Sequence, residues 1–227
     1  MDFQLENSAS IPVLKPPGFI VIEGPIGVGK TTLANKLASS FGSDLLLEGA
    51  NENPFLEKFY DNPAAAALPT QLFFLLQRAR QLKAMKQGDM FNPVRVADYL
   101  IEKDRLFAEL TLDSDELDLY EQVYTSLTID VPRPDLVVYL QAPVEILLER
   151  IQKRGLKQER FIEAAYLQRL CDTYIQFFYQ YNKAPLLIVN AADIDFANND
   201  ADYLLLYQQI IEVQSGRHYF NPTQVAL

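Results

Sequence analysis

The segment GPIGVGKT, from Gly24 to Thr31, decides the fold of this chain. It follows the apolar run FIVI at residues 19–22 and precedes the helix-like sequence TLANKLA at residues 32–38. A GxxxxGK[ST] loop between a buried strand and a helix is typical of a phosphate-binding loop, because its glycines let backbone N–H groups approach an anion. The lysine of such a loop reaches the β- and γ-phosphates, and the hydroxyl that follows it ligates Mg²⁺. We therefore expect the phosphates of a nucleotide cofactor to contact Gly24, Gly27, Val28, Gly29, Lys30, Thr31 and Thr32.

Composition narrows the class of protein. The chain has 227 residues, of which 49% are hydrophobic, and this suits one α/β domain. A net charge of −10 argues against a nucleic-acid partner, since affinity for a phosphate backbone is mostly cationic. No apolar stretch has the length of a membrane-spanning helix, and the first residues are acidic without a signal-peptide core, so we expect a cytoplasmic protein with no membrane partner. Cys171 is the single cysteine, which excludes a disulfide framework and a cysteine metal site. His218 is the single histidine and lies near the end of the sequence, which excludes a histidine triad in the body of the domain.

Predicted strands and helices alternate along the chain. This order predicts an α/β fold of the P-loop NTPase type, with a parallel sheet flanked by helices on both faces and a helical lid. The predicted organisation is an extended arm at 1–17, one domain at 18–215 and a tail at 216–227. Strands are expected at 18–23, 45–47, 94–97, 136–140 and 186–190. Helices are expected from the P-loop to Ser40, within 51–63, and at 68–87, 99–110, 115–127, 143–154, 163–181 and 199–213.

Two carboxylates directly follow predicted strands. Glu48 comes after the second strand and Asp98 after the third. Ligands of parallel α/β sheets bind at the carboxyl ends of the strands, where the P-loop also lies. Glu48, Asp98 and the P-loop should therefore converge on one crevice, with Thr31 and Asp98 as the expected Mg²⁺ ligands.

Several further segments resemble the deoxynucleoside kinase family in order and spacing. They extend from the P-loop to about residue 190, and the likeness is greatest to bacterial members that take purine deoxynucleosides or deoxycytidine. The segments are LEGANENPFL at 47–56, Phe59 with Tyr60, Gln71 with Arg78, Asp98 with Asp104, and RIQKRG at 150–155.

The resemblance implies an activity and a set of partners. Members of this family use ATP and Mg²⁺ to phosphorylate the 5′-hydroxyl of a small-molecule deoxynucleoside in nucleotide salvage, and they are usually homodimers. Glu48 matches the general base that takes the proton of the 5′-hydroxyl. Tyr60 and Glu159 match the pair that holds the 3′-hydroxyl of the sugar. The adenine of ATP is expected near residues 190–196.

The base pocket and the lid are also implied by the resemblance. Gln71 matches the glutamine that reads the base, while Arg78 and Asp104 match an arginine–aspartate pair at the far end of the base pocket. Arg150 and Arg154, which lie four residues apart on one helical face, match the lid that closes over the transferred phosphate. With Glu48 and Lys30, these two arginines complete the expected catalytic set; Lys153 and Lys157 add charge nearby.

Two positions depart from the family pattern. The family has an arginine where this chain has Tyr99, and a second lid arginine where it has Leu156. A lost positive charge near a phosphoryl transition state lowers the rate strongly, so a catalytically impaired nucleotide-binding relative with a regulatory role is the alternative. A nucleoside monophosphate kinase is a third reading, disfavoured because Glu48 is present and the arginine at position 99 is not.

Overall fold

The computed structural model of the chain describes residues 16–87, 94–128, 131–156, 159 and 161–222. Most of the predicted arm at 1–17 lies outside these ranges, as do Lys157 and the last five residues of the predicted tail. The fold is built on a six-stranded parallel sheet in the order β2-β3-β1-β4-β5-β6. The strands are β1 (Phe19–Glu23), β2 (Asp44–Leu46), β3 (Arg95–Ala97), β4 (Leu136–Gln141), β5 (Leu186–Asn190) and β6 (Arg217–Phe220).

Helices connect the strands and confirm the predicted α/β architecture. They are α1 (Lys30–Phe41), α2 (Leu56–Asp61), α3 (Pro63–Gln87), α4 (Lys103–Thr111), α5 (Ser114–Thr128), α6 (Val144–Arg154), α7 (Ala164–Gln180) and α8 (Asp200–Glu212). A 3₁₀ turn covers Ala50–Glu52. Within the described ranges, no helix combines the length and the apolar composition that crossing a membrane requires.

The central strands β1 and β4 are apolar up to their last residue. Every residue of β1 is buried, and β1 pairs with β3 on one side and β4 on the other, so that Ile20 lies between Val96 and Leu136. Parallel strands covered on both faces need this continuous apolar pattern. The same register aligns the carboxyl ends of the strands. The P-loop follows β1, and Glu48 and Asp98 lie just after β2 and β3.

The predicted helix at 99–110 starts four residues too early. In the structure α4 begins at Lys103, because residues 99–102 form a turn in which the Leu100 amide donates to Glu23 at 2.8 Å. The Lys103 amide then donates to the Leu100 carbonyl at 3.0 Å. This turn places Lys103 at the mouth of the site instead of in the middle of a helix.

The sixth strand lies inside the segment that the sequence assigns to a tail. Residues Arg217–Phe220 pair with β5 in parallel, with Leu186 opposite Arg217. The Arg217 guanidinium donates to the carbonyls of Phe178, Tyr179 and Tyr181 at 2.9–3.1 Å, which fastens the strand to the end of α7. The sheet therefore extends to Phe220, beyond the predicted boundary at residue 215.

A stack of aromatic rings fixes α7 against the sheet. The Tyr139 ring of β4 lies 4.1 Å from the Phe178 ring and 6.0 Å from the Tyr174 ring, measured between centroids. Such stacking adds to the free energy gained by burying the rings. It aims the Tyr174 hydroxyl at Glu23, directly beneath the P-loop.

Candidate active site

The P-loop is held close to its neighbours, and only glycine fits at two of its positions. Gly27 has φ +84°, and a Cβ there would lie 2.9 Å from the Leu147 carbonyl oxygen. Gly29 has φ +107°, and a Cβ there would lie 3.0 Å from the Phe196 ring. L-residues with a side chain rarely adopt such φ values, so both the backbone conformation and the space exclude them.

Lys30 lies inside the loop. Its Nζ donates to the carbonyls of Gly24 at 2.8 Å and Pro25 at 3.2 Å. Burial lowers the pKa of Lys30 to about 8, and repulsion by Lys103 contributes next. A buried cation of this kind is well suited to bind an anion that enters the loop.

Asp98 forms hydrogen bonds with both Thr31 and Glu48. Its Oδ2 accepts a hydrogen bond from the Thr31 hydroxyl at 2.5 Å, and its Oδ1 accepts one from the Glu48 amide at 2.6 Å. The structure therefore brings the P-loop, Asp98 and Glu48 into one crevice, as the strand-end argument predicts.

The donors at Thr31 and Asp98 suit Mg²⁺. A hydroxyl and a carboxylate are hard oxygen ligands, and Mg²⁺ in nucleotide sites is usually held by one or two protein oxygens, with phosphates and water completing the shell. The described residues contain no cluster of three or more His, Cys, Asp or Glu side chains that could hold a metal.

Glu48 is held by one cation at each carboxylate oxygen. Arg78 Nη2 contacts Oε1, and Lys103 Nζ lies 3.0 Å from Oε2. The Glu48 side chain keeps 18% of its surface exposed, so it remains reachable from the crevice. The carboxylate is thus fixed as a hydrogen-bond acceptor at the mouth of the P-loop.

Arg78 links this carboxylate to the predicted base pocket. It pairs with Asp104 as well as with Glu48, and all but 3% of its side chain is buried. Its guanidinium lies 5.0 Å from the Phe74 ring centroid. Burial lowers the pKa of Arg78, which Glu23 opposes. The predicted pair of Arg78 and Asp104 is present, and Arg78 also contacts Glu48, the expected general base.

Gln71 lies on the same helix, two turns before Arg78. It is buried, and its Nε2 donates to the Thr111 hydroxyl at 3.3 Å. A second apolar cluster lies beside it between α2 and α3, with Tyr60 packed against its edge. The two helices therefore bring the amide of Gln71 next to an apolar cluster.

Tyr60 and Glu159 interact electrostatically. Burial raises the pKa of Tyr60, and the nearby Tyr166 and Glu159 raise it further, whereas Arg154 opposes them. Arg154 Nε donates to Glu159 Oε2 at 3.0 Å. The Tyr60 phenol therefore stays protonated, able to donate one hydrogen bond and accept another.

The two expected lid arginines have different partners. Arg150 donates to the carbonyls of Val28 at 3.3 Å and Ala191 at 2.8 Å, and so bridges the P-loop and the segment after β5. Arg154 is engaged with Glu159, yet it lies near enough to Lys30 to lower the pKa of that lysine slightly. Both arginines border the phosphate site, while Lys157, expected to add charge here, lies outside the described residues.

Glu23 is a site residue that the sequence analysis missed. It is fully buried at the end of β1 and accepts hydrogen bonds from the amides of Gly24 and Leu100 and from the Tyr174 hydroxyl. In the sequence, Glu23 could have been recognised as an acidic residue at the end of an apolar strand, just before the P-loop. Lys103 was missed because the predicted helix began too early.

Tyr99 does not replace the expected arginine. Its side chain is buried, and among the described residues its hydroxyl has no hydrogen-bond partner. The ring centroid lies 5.6 Å from the Arg78 guanidinium carbon. Tyr99 therefore packs beneath Arg78 and brings no polar group to Glu48.

The sheet order, the GxxxxGKT loop and the carboxylates at the strand ends define a P-loop fold with a candidate phosphate-binding site. The deoxynucleoside kinase family model matches residues 20–213. The chain therefore belongs to the deoxynucleoside kinase family and is an enzyme of the phosphotransferase class.

Curated relatives agree with this membership. The chain is 40% identical over 194 residues to deoxyguanosine kinase of Bacillus subtilis (strain 168), covering 82% of this chain and 92% of the relative. It is 30% identical over 203 residues to the deoxyadenosine/deoxycytidine kinase of the same organism, covering 86% and 92%.

Solved structures share the fold. Deoxyadenosine kinase from M. mycoides with the products dCMP and a flexible dCDP superimposes with a TM-score of 0.75, covering 86% of this chain and all of that one. The same enzyme with bound dATP gives a TM-score of 0.73. At 24% identity this likeness supports the architecture described above.

Proposed function

We propose that this protein transfers the γ-phosphate of ATP, with Mg²⁺, to the 5′-hydroxyl of a deoxynucleoside. The observation that carries the proposal is Glu48: two cations orient its carboxylate, and its backbone amide donates to Asp98, which also accepts from Thr31 of the P-loop. A carboxylate fixed beside a phosphate site can align a hydroxyl for attack and accept its proton.

Each end of the crevice has a distinct task in this proposal. The P-loop amides and Lys30 hold the β- and γ-phosphates, and Arg150 and Arg154 cover them from the lid. Mg²⁺, held by Thr31 and Asp98, supplies charge neutralisation on the phosphates when bound. Glu48 takes the proton of the attacking 5′-hydroxyl.

The sugar end supports a deoxynucleoside substrate. Glu159 acts electrostatically on Tyr60, and in the proposed role this phenol and this carboxylate share the proton of a 3′-hydroxyl. A 2′-hydroxyl would crowd this pair. We therefore infer a preference for deoxyribose over ribose.

The base pocket supports a purine. Arg78 supplies donors for the N7 and O6 acceptors of guanine, Asp104 supplies acceptors, and the Gln71 amide can do both. Deoxyguanosine is the first substrate to test because the Bacillus subtilis relative at 40% identity and a Lactobacillus johnsonii relative at 30% are named deoxyguanosine kinase. Deoxyadenosine and deoxycytidine follow.

The same proposal places the enzyme in the cytoplasm as a homodimer. Leu76 of α3 and Leu119 of α5 are large apolar side chains with 37% and 48% of their surface exposed, and these two helices pack together. A second copy of the chain is the partner we propose for this face.

A phosphoryl-transfer screen tests the function. Wild-type protein and Glu48→Gln are assayed with Mg-ATP against the four deoxynucleosides and their monophosphates. We expect turnover of deoxynucleosides, reduced about 10²- to 10⁴-fold in Glu48→Gln because a positioned general base is lost. Glu109→Gln, which changes an exposed carboxylate on α4, is the matched control and should retain wild-type turnover.

Two outcomes would contradict the proposal. Turnover of monophosphates alone would place the protein among nucleoside monophosphate kinases. ATP binding without turnover of any acceptor would mean that Tyr99 and Leu156 have removed essential charges, and that the chain acts as a nucleotide-binding regulator.

A further inference from the structure

Lys103 is a buried cation that none of the predicted roles includes. It is the first residue of α4, and 3% of its side chain is exposed. Its Nζ lies 3.0 Å from Glu48 Oε2 and 3.8 Å from Glu23 Oε1. The first distance is a hydrogen bond, whereas the second is too long for one.

Glu23 does not need Lys103 as a hydrogen-bond donor. Both of its oxygens already accept bonds, from the Gly24 amide and Tyr174 hydroxyl at Oε1 and from the Leu100 amide at Oε2. Burying an ammonium group is unfavourable unless it is paired. Lys103 forms a direct hydrogen bond with Glu48, the expected general base, and a longer ion pair with Glu23.

The positive charge of Lys103 also acts on the lysine of the P-loop. After burial, repulsion by Lys103 is the largest cause of the lowered pKa of Lys30. Lys103 therefore bonds to the carboxylate that would accept a proton and acts electrostatically on the lysine that would bind the phosphates. Tyr99, four residues earlier, brings no charge to this place.

We propose that Lys103 is a positioning residue for phosphoryl transfer: its ammonium fixes Glu48 Oε2 and places positive charge next to this carboxylate. The proposal rests on the function proposed above. It accounts for how this chain keeps a cation at Glu48 although position 99 is a tyrosine.

Arg78 contacts one carboxylate oxygen of Glu48 and Lys103 contacts the other. The two cations differ in their second contacts. Arg78 also pairs with Asp104 in the base pocket, whereas Lys103 acts electrostatically on Lys30 of the P-loop. Loss of Lys103 should therefore lower kcat with little effect on KM for the nucleoside. Loss of Arg78 should raise that KM.

Steady-state kinetics of Lys103→Gln, Lys103→Arg and the exposed α3 control Lys83→Gln test this division. Rates with saturating Mg-ATP are expressed per nucleoside-binding site, counted by titration with deoxynucleoside, so that partial unfolding does not imitate the effect. We expect kcat of Lys103→Gln to fall about 100-fold, as for loss of one positioned donor. KM should change less than about 3-fold, and Lys83→Gln should resemble wild type.

The conservative variant separates charge from packing. Lys103→Arg keeps the positive charge and should recover about 10-fold of the kcat lost in Lys103→Gln. If Lys103→Gln does not fold, Lys103→Met, which has nearly the same shape, replaces it.

Different results overturn different conclusions. Active wild type with unchanged kcat in Lys103→Gln or Lys103→Met would overturn the role of Lys103 alone. A loss confined to KM or to the number of binding sites would likewise assign Lys103 to substrate binding or packing. Absence of turnover by wild type would overturn the proposed function and this proposal with it.

Discussion

The ion pairs of Arg78 predict that replacing Arg78 lowers the free energy of unfolding more than replacing Asp104 does. Arg78 contacts Glu48 and Asp104 at once, and 3% of its side chain and 1% of that of Asp104 are exposed. Replacing Arg78 by Met leaves the Asp104 carboxylate buried without its cation. Replacing Asp104 by Asn leaves Arg78 still paired with Glu48.

The expected magnitudes follow from these remaining contacts. Breaking a buried ion pair so that one charge is stranded costs about 3–5 kcal/mol, which is the value expected for Arg78→Met. Asp104→Asn removes one charge but strands none, and its neutral amide can still accept from the guanidinium. Its expected cost is about 1–2 kcal/mol, the scale of a lost hydrogen bond to a charged group.

Urea unfolding at neutral pH measures both free energies. The protein concentration is held constant across variants, because association would otherwise shift the apparent stability. Arg105→Met is the matched control: it breaks a pair with Glu121 in which 48% of the arginine side chain is exposed, and should change stability by about 0.5 kcal/mol or less. The reasoning is refuted if Asp104→Asn costs as much as Arg78→Met, or if Arg78→Met costs no more than the control.

Two further predictions concern the P-loop and the single thiol. Gly27→Ala should weaken ATP binding at least about 10-fold in a titration, because its φ of +84° and the Leu147 carbonyl at 2.9 Å both oppose a Cβ; Gly42→Ala, at φ +60° with open space around it, should leave ATP affinity unchanged. Burial raises the pKa of the Cys171 thiol to about 11, so at pH 8 the reactive thiolate is scarce and alkylation by iodoacetamide, followed by mass spectrometry, should be at least about 10-fold slower than in urea-unfolded protein. Equal rates in the folded and unfolded protein would contradict the burial argument.

The parallel sheet could be predicted because its central strands carry a strong signal. A strand such as FIVI, covered on both faces, must be apolar throughout, and a glycine-rich loop then marks its carboxyl end. The same geometry predicted that Glu48 and Asp98 converge with the P-loop, since parallel strands end at a common edge. Their hydrogen bonds through Asp98 confirm that convergence.

The edge strand β6 could not be found in this way. An edge strand is covered on fewer sides, so the sequence RHYF needs no apolar run, and three of its four residues are exposed. What holds it is backbone pairing with β5 and the reach of Arg217 to the end of α7. Neither contact has a local sequence pattern.

Lys103 escaped prediction for a related reason. Sequence alone places it among the charged residues of an amphipathic helix, where lysine is ordinarily solvated. Only the turn at 99–102, fixed by the Leu100 amide on Glu23, moves it into the site. From the sequence, the tyrosine at position 99 suggested that a positive charge at Glu48 is lost. In the structure Lys103, in the next turn of the chain, supplies a cation there.

The charges of the site explain how so acidic a chain can hold phosphates. Within the crevice, the carboxylates of Glu23, Glu48, Asp98 and Asp104 outnumber the cations of Lys30, Arg78 and Lys103 by one. Burial lowers the pKa of both lysines to about 8, and attraction by Glu23 and Asp98 opposes this effect, so each lysine remains largely protonated at pH 7. Positive groups thus persist at the P-loop although the whole chain carries a net charge of −10, because neighbouring groups act at short range while distant surface charges are screened. In the proposed function, Asp98, which bonds to Thr31, is the carboxylate of this cluster that would attract Mg²⁺.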